Sequence, residues 1–112
     1  MSRRVVVRIQ PEAEDAILEN ALWWMQNRSA QQGERWFDAI YDAIRGFRDR
    51  PQKWPLAPEA SVLGMPIREL HFGIGTRPTH RILFVCRDDD VVVVAIRHVS
   101  QKDLGEDDVS PV

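Results

Sequence analysis

Arg68, Arg81, Arg97 and His98, all in the second half of this 112-residue chain, are side chains of the types that metal-free phosphodiester cleavage requires. That chemistry takes a general base for a 2′-hydroxyl, cations to stabilise the charge of a phosphorane, and an acid for the leaving oxygen. His98 could act as base or acid because imidazole titrates near neutrality, and the arginines could hold phosphate through forked donors. Position restricts this reading. Arg81 alternates with Leu83 and Val85, and His98 with Val94 and Ile96, so each shares a strand face with apolar side chains and must sit near a strand end. The structural alternative is that Arg81 and Arg68 pair with acids such as Glu69 while His98 caps the sheet edge. Under the catalytic alternative the set is His98, Arg81 and Arg68.

Other chemistries find less support. His71, His80 and His98 are scattered over separate strand-like segments without a ligand spacing such as HExxH, so no metal site and no cofactor is expected. Cys86 ends an apolar run and reads as a small buried hydrophobe, with no pattern around it that would lower its pKa. Gly73-Ile74-Gly75 lacks the strand-to-helix context of a phosphate-binding loop and reads as a turn. Among the tryptophans, Trp24 and Trp36 fall on helical apolar stripes and belong to the core. Trp23 and Trp54 fall off them and, with Arg97, are candidates for contact with a protein partner.

The elements that must position these residues follow from periodicity. Residues 3–9 are rich in β-branched side chains and form a first strand that ends before Pro11. Pro11 suits a first helical turn, and Glu12, Glu14 and Asp15 complement its positive end. Ile17, Ala21, Trp24 and Arg28 then fall on one line with Leu18, Leu22 and Met25 beside them, predicting an amphipathic helix with a wide apolar stripe to about residue 28. Ser29 and Gln32 have capping-box spacing, and Trp36, Phe37, Ile40, Tyr41, Ile44 and Phe47 continue at helical period until Pro51. Two helices joined this tightly form an antiparallel hairpin. Residues 51–65, with Pro51, Pro55, Pro58 and Gly64, have no period and read as a loop. Strands follow at 66–72, 80–86 and 91–99, the last two joined by an Asp-rich turn. The expected fold is α+β, in the order β-α-α-β-β-β, with the helices on one face of a small sheet whose last three strands run antiparallel.

Composition bounds the function classes. A chain this short builds one core, here expected over residues 1–100, with 101–112 a partly frayed acidic tail. The 44% apolar content and four tryptophans exclude a disordered protein. A single cysteine excludes a disulfide scaffold, and a reducing cytoplasm fits best. The longest apolar run, VVVVAI at 91–96, has the length of a strand, and the apolar stretch before Pro11 is too short for a signal peptide. Of 17 acids against 15 bases, four acids lie beyond residue 102, leaving 15 bases against 13 acids in the body. That near-neutral body disfavours general nucleic-acid binding, which depends on a strong basic excess.

Taken in order, WFDAIYDAIRGF, the proline loop, GMPIREL, HRILFVC and VVVVAIRHV make residues 3–100 similar to the ParE/RelE superfamily of bacterial toxins from toxin–antitoxin modules. The resemblance implies a cytoplasmic toxin held inactive by a cognate antitoxin that wraps the domain. It also implies one of two targets: DNA gyrase for ParE-like members, or mRNA on the ribosome for RelE-like endoribonucleases. Where the family often has an aromatic before the third strand's arginine this chain has His80, and where a tyrosine often closes that motif it has Phe84. Tyr41 is the only tyrosine, and Lys53 and Lys102 are the only lysines. These departures set the expectation nearer to a ParE-like inhibitor of a protein target. The alternatives are a RelE-like nuclease and a decayed toxin that retains only antitoxin binding.

Overall fold

A computed structural model describes residues 5–101 and residue 105. Strand β1 (Val6–Ile9) leads into helix α1 (Pro11–Asn27) and, after a tight turn, helix α2 (Ala30–Arg45). Pro11 opens α1, and the Ser29 hydroxyl accepts the Gln32 backbone N–H at 3.1 Å to cap α2. Two 3₁₀ turns, Gly46–Arg48 and Pro51–Lys53, close the helical half. Then come a short helix α3 (Glu59–Leu63) and strands β2 (Ile67–Phe72), β3 (His80–Cys86) and β4 (Asp90–His98). Helix α3 corrects the expectation of an aperiodic loop over 51–65. One and a half turns are too short to display a period, and Gly64, at φ 64°, ends the helix in the left-handed conformation that suits glycine.

The α+β order is as expected, and the four strands form one sheet in the order β1-β4-β3-β2. The sheet is mixed: β2, β3 and β4 are antiparallel, while β1 lies parallel to β4. Strands β3 and β4 are therefore central and buried on both faces, which explains why VVVVAI shows no alternation. The hairpin covers one face, where Ala13, Ile17, Ala21, Trp36, Ile40, Ile44 and Phe47 pack against Phe72, Ile82, Phe84, Val91, Val93 and Ile96. On the other face a smaller cluster joins Ile67, Leu83, Val85, Val92, Val94 and Ala95 to Ala57, with Leu63 and Met65 at its margin.

Two details depart from the expected packing. The apolar stripe of α1 is narrower, because Leu18, Leu22 and Met25 remain exposed. The helix buries only Ala13, Ile17 and Ala21 fully, since α2 approaches on one side alone. The second is a bulge. Leu83 pairs with Ala95 but Phe84 pairs with Val93, leaving Val94 as an extra residue on β4. Alternation breaks there, so Val94 and Ala95 both face the smaller cluster, while His98 shares its face with Ile96 and not with Val94. The acidic tail expected over 101–112 lies outside the described residues except for Gln101 and Gly105.

Candidate functional site

His80 and His98 are opposite each other on β3 and β4, on the helix-covered face, with ring centroids 5.3 Å apart in an edge-to-face arrangement. His80 is 4% exposed and packs edge-on against Trp36, 5.2 Å between centroids. Its hydrogen bonds define its proton. The Asn20 side-chain NH₂ donates to the Ala16 carbonyl at 2.7 Å, which aims Asn20 Oδ1 at His80, so Nε2–H of His80 donates to that oxygen at 2.9 Å. Nδ1 is then the acceptor for the Thr79 hydroxyl at 2.7 Å. Burial, with the neighbouring His98 adding to it, lowers the His80 pKa to about 4. His80 is thus a neutral polar link between β3 and α1.

His98 is exposed and closes the end of β4, where its Nδ1 accepts the Ser100 backbone N–H at 3.1 Å. The two imidazoles join Asn20, Trp23, Trp24 and Thr79 around a cavity of about 380 Å³. Trp23 and Trp24 meet at 89° with centroids 5.6 Å apart, and Trp23 is half exposed. Arg97 and Glu19 lie with Trp23 and His98 around an adjoining hollow.

The opposite sheet face holds a different cluster. Arg81 donates from Nη2 to Glu59 Oε1 at 2.5 Å and from Nε to Glu69 Oε1 at 3.4 Å. All three residues are buried, and Glu69 also contacts His71 Nε2 at 2.5 Å. Burial pulls the Arg81 pKa down, but the hydrogen bonds and charges of the two glutamates outweigh it and raise it overall. Arg97 is paired with Arg81 in the ladder. Arg68 stands on the helix-covered face at the far end of β2. There its guanidinium donates to the carbonyls of Trp54 at 2.6 Å and Gln52 at 3.2 Å, which corrects the expected pairing of Arg68 with an acid such as Glu69.

The candidate residues therefore separate. Arg81 and His98 lie on opposite faces, and Arg68 is remote from His98 along the strands and across the sheet. Trp54 is half-buried against the main core, with Lys53 over its ring at 5.2 Å, whereas Trp23 presents a large exposed surface. Cys86 is half-buried and burial raises its thiol pKa, with Arg68 opposing. Gly73 turns where a Cβ would stand 2.6 Å from the Arg77 carbonyl, in keeping with a turn at 73–75. Sequence reasoning missed Glu59 and Asn20. Asn20 had a signal, being a polar residue in line with Ile17 and Trp24 on the buried side of α1; Glu59 had none. Among the described residues no cluster of His, Cys, Asp or Glu could hold a metal ion, and no helix is long and apolar enough to cross a membrane.

Helix α1 of the hairpin carries several large exposed apolar side chains. Leu18, Leu22 and Trp23 are each about half exposed and Met25 is 41% exposed. On α2 the rings of Phe37 and Tyr41 are 4.8 Å apart and only half-buried. Surfaces of this kind mark protein contacts.

Comparison with known proteins places this geometry. No curated protein matches the chain. Among solved structures, one described as "Chromosomal ParDE TA system from P. aeruginosa" superimposes with a TM-score of 0.69 over 88% of this chain and 100% of the other, at 11% identity. That similarity establishes the shared fold. The family model described as "ParE toxin of type II toxin-antitoxin system, parDE" matches residues 7–103, nearly the whole chain. The chain belongs to the ParE toxin family of type II toxin–antitoxin systems.

Proposed function

We propose that the chain is a toxin that acts by binding a protein target, DNA gyrase, without cleaving RNA, and that a cognate antitoxin neutralises it. The observation that carries this reading is the engagement of Arg81 by Glu59 and Glu69. A cation that stabilises a phosphorane must offer its donors to substrate, and here two buried carboxylates already take them. The separation of Arg81 from His98 across the sheet supports the same reading, because acid–base and phosphate groups must converge on one scissile bond. Membership of the ParE family and the exposed apolar hairpin support an antitoxin partner.

The test is direct. Purified chain is added to DNA gyrase in a supercoiling assay and, in parallel, to ribosomes translating a defined mRNA. Inhibited supercoiling with intact message is the expected result, and cleaved message with unaffected gyrase would overturn the proposal. If neither assay responds while a complex with the antitoxin still forms, the chain retains only antitoxin binding, and the gyrase assignment falls.

A further inference from the structure

The cavity of about 380 Å³ at the His80–His98 end of the sheet is walled by two indoles and two imidazoles. Among the described residues no Asp, Glu, Lys or Arg lines it, and burial keeps His80 neutral. Trp23 meets Trp24 edge to face, which leaves half of its own surface for another ring. The hydrogen bonds already made determine which polar groups remain. His98 Nδ1 accepts the Ser100 backbone N–H, so the proton of neutral His98 sits on Nε2, and that N–H has no partner among the described residues. The Thr79 hydroxyl gives its proton to His80 Nδ1, and Asn20 Oδ1 takes one from His80 Nε2. Each of these oxygens keeps a free lone pair. The cavity thus offers one N–H donor and two acceptor oxygens. The adjoining hollow shares Asn20, Trp23 and His98 with it. There the Glu19 carboxylate also has no partner among the described residues, whereas Arg97 is already engaged.

We infer that this cavity binds a purine nucleoside of the adenosine type. The base stacks on Trp23, His98 Nε2–H donates to a ring nitrogen, and the exocyclic amino group donates to Thr79 Oγ1 or Asn20 Oδ1. Glu19 accepts from the ribose hydroxyls in the adjoining hollow. Nucleoside binding at this end of the sheet does not depend on which macromolecule the toxin targets. Size and polarity decide among ligands. Small-molecule sites span roughly 300–1,000 Å³. At 380 Å³ this cavity lies at the low end, which suits one nucleoside and not a dinucleotide. Any base stacks well on tryptophan, so selectivity falls to the polar edge. Adenine presents an acceptor nitrogen beside an amino donor on one edge, whereas guanine presents two acceptors there. The first pattern matches one donor with acceptor oxygens beside it. A purely apolar ring leaves all three groups unpaired and desolvated. A phosphate group would face the Glu19 carboxylate in the hollow, where Arg97 is already engaged, which favours a nucleoside over a nucleotide.

Isothermal titration calorimetry of the full chain with adenosine provides the test, with inosine, AMP, free adenine and indole as comparison ligands. The variants are Trp23→Ala, His98→Ala and Glu19→Gln; all three positions are exposed, and thermal melts check that each protein folds. Saturable binding of adenosine at a single site is expected. Trp23→Ala should weaken it about tenfold or more through lost stacking, and His98→Ala about tenfold through the lost donor. Inosine, which carries a carbonyl oxygen in place of the amino group, should bind at least about tenfold more weakly than adenosine. Glu19→Gln should weaken adenosine several-fold and leave free adenine unaffected, and AMP should bind more weakly than adenosine. Absence of saturable adenosine binding would overturn the inference, and so would adenosine binding that survives both Trp23→Ala and His98→Ala. Indole or inosine bound as tightly as adenosine would show a cavity that selects by apolar surface alone and would equally overturn it. AMP bound more tightly than adenosine, or a Glu19→Gln effect of the same size on adenine and adenosine, would remove the ribose from Glu19 and refute the nucleoside assignment.

Discussion

Glu59 accepts a hydrogen bond at 2.5 Å from Arg81, and the pair spans from α3 to the middle of the sheet with both side chains shielded from solvent. Removing one partner of a buried ion pair leaves an uncompensated charge, typically at a cost of about 3–5 kcal/mol. Glu69 also faces Arg81, so Glu59→Ala is expected at the lower end, about 3 kcal/mol. Replacing the whole cluster together, Glu59→Leu, Glu69→Gln and Arg81→Met, should cost less than Glu59→Ala alone, because neither a buried carboxylate nor the buried guanidinium is left without its partner. Urea unfolding of the two proteins compares them, and a triple variant less stable than Glu59→Ala would show that the ion cluster itself supplies net stability.

His80 gives the fold a defined acid sensitivity. Its pKa is about 4 in the folded protein and about 6.5 when unfolded, so between those values the unfolded chain binds more protons. The stability that neutral His80 supports is complete above about pH 6.5 and is lost as pH falls toward 4. His80→Gln keeps an N–H donor for Asn20 without the titration. Its melting temperature is expected to be lower than wild type at pH 7 yet flatter between pH 6.5 and 4, and a parallel pH profile would rule His80 out as the source.

A second acid transition belongs to Asp90. Hydrogen bonds from Arg87 at 2.6 Å, aided by Arg8 at 2.9 Å, outweigh burial and hold its pKa at about 2. Its contribution is present above about pH 4 and disappears as pH falls toward 2, below the His80 window. Asp90→Asn should therefore lower stability at pH 5 and converge with wild type near pH 2; a constant difference across that range would show that shape, and not charge, is what Asp90 supplies.

The element order was legible because each signal was local: Pro11 opening a helix, the Ser29 cap, the unbroken apolar run of β4. What escaped depends on contacts distant in sequence. The extra residue at Val94 is visible only once β3 is paired with β4, and it reverses the face that alternation assigns to His98 relative to Val94. Glu59 and Arg81 are 22 residues apart, and nothing near either one announces the other. Leu18, Leu22 and Met25 have the spacing of core residues, and composition cannot distinguish a stripe buried within the chain from one left for a partner.

The close approach of the two helices rests on Gly33. A Cβ there would stand 2.1 Å from Met25 Cγ and 3.0 Å from the Ala21 carbonyl oxygen. Met25 is exposed and can swing aside, but the carbonyl cannot. Gly33→Ala gains up to about 1 kcal/mol of helix propensity and forces overpacking that typically costs about 1–3 kcal/mol. A net loss of about 1 kcal/mol is expected, partly recovered by Met25→Ala in the same chain. A thermal melt that rises on Gly33→Ala would show that the helices can separate freely.

His98 separates the two modes of toxicity. It is exposed at the end of β4, and its hydrogen bonds and ring contact are to Ser100, Gln101 and His80, all local to that end of the sheet. Its removal should therefore leave the fold nearly intact. In a nuclease, loss of a general acid or base commonly lowers the rate about a hundredfold or more. In a toxin that binds its target, the same change removes one surface side chain beside Trp23. Growth arrest by His98→Ala, followed alongside its thermal melt and its binding to the antitoxin, decides between them. Toxicity close to wild type is expected, and a stable, antitoxin-binding protein that no longer arrests growth would return His98 to a catalytic role and overturn the protein-target reading.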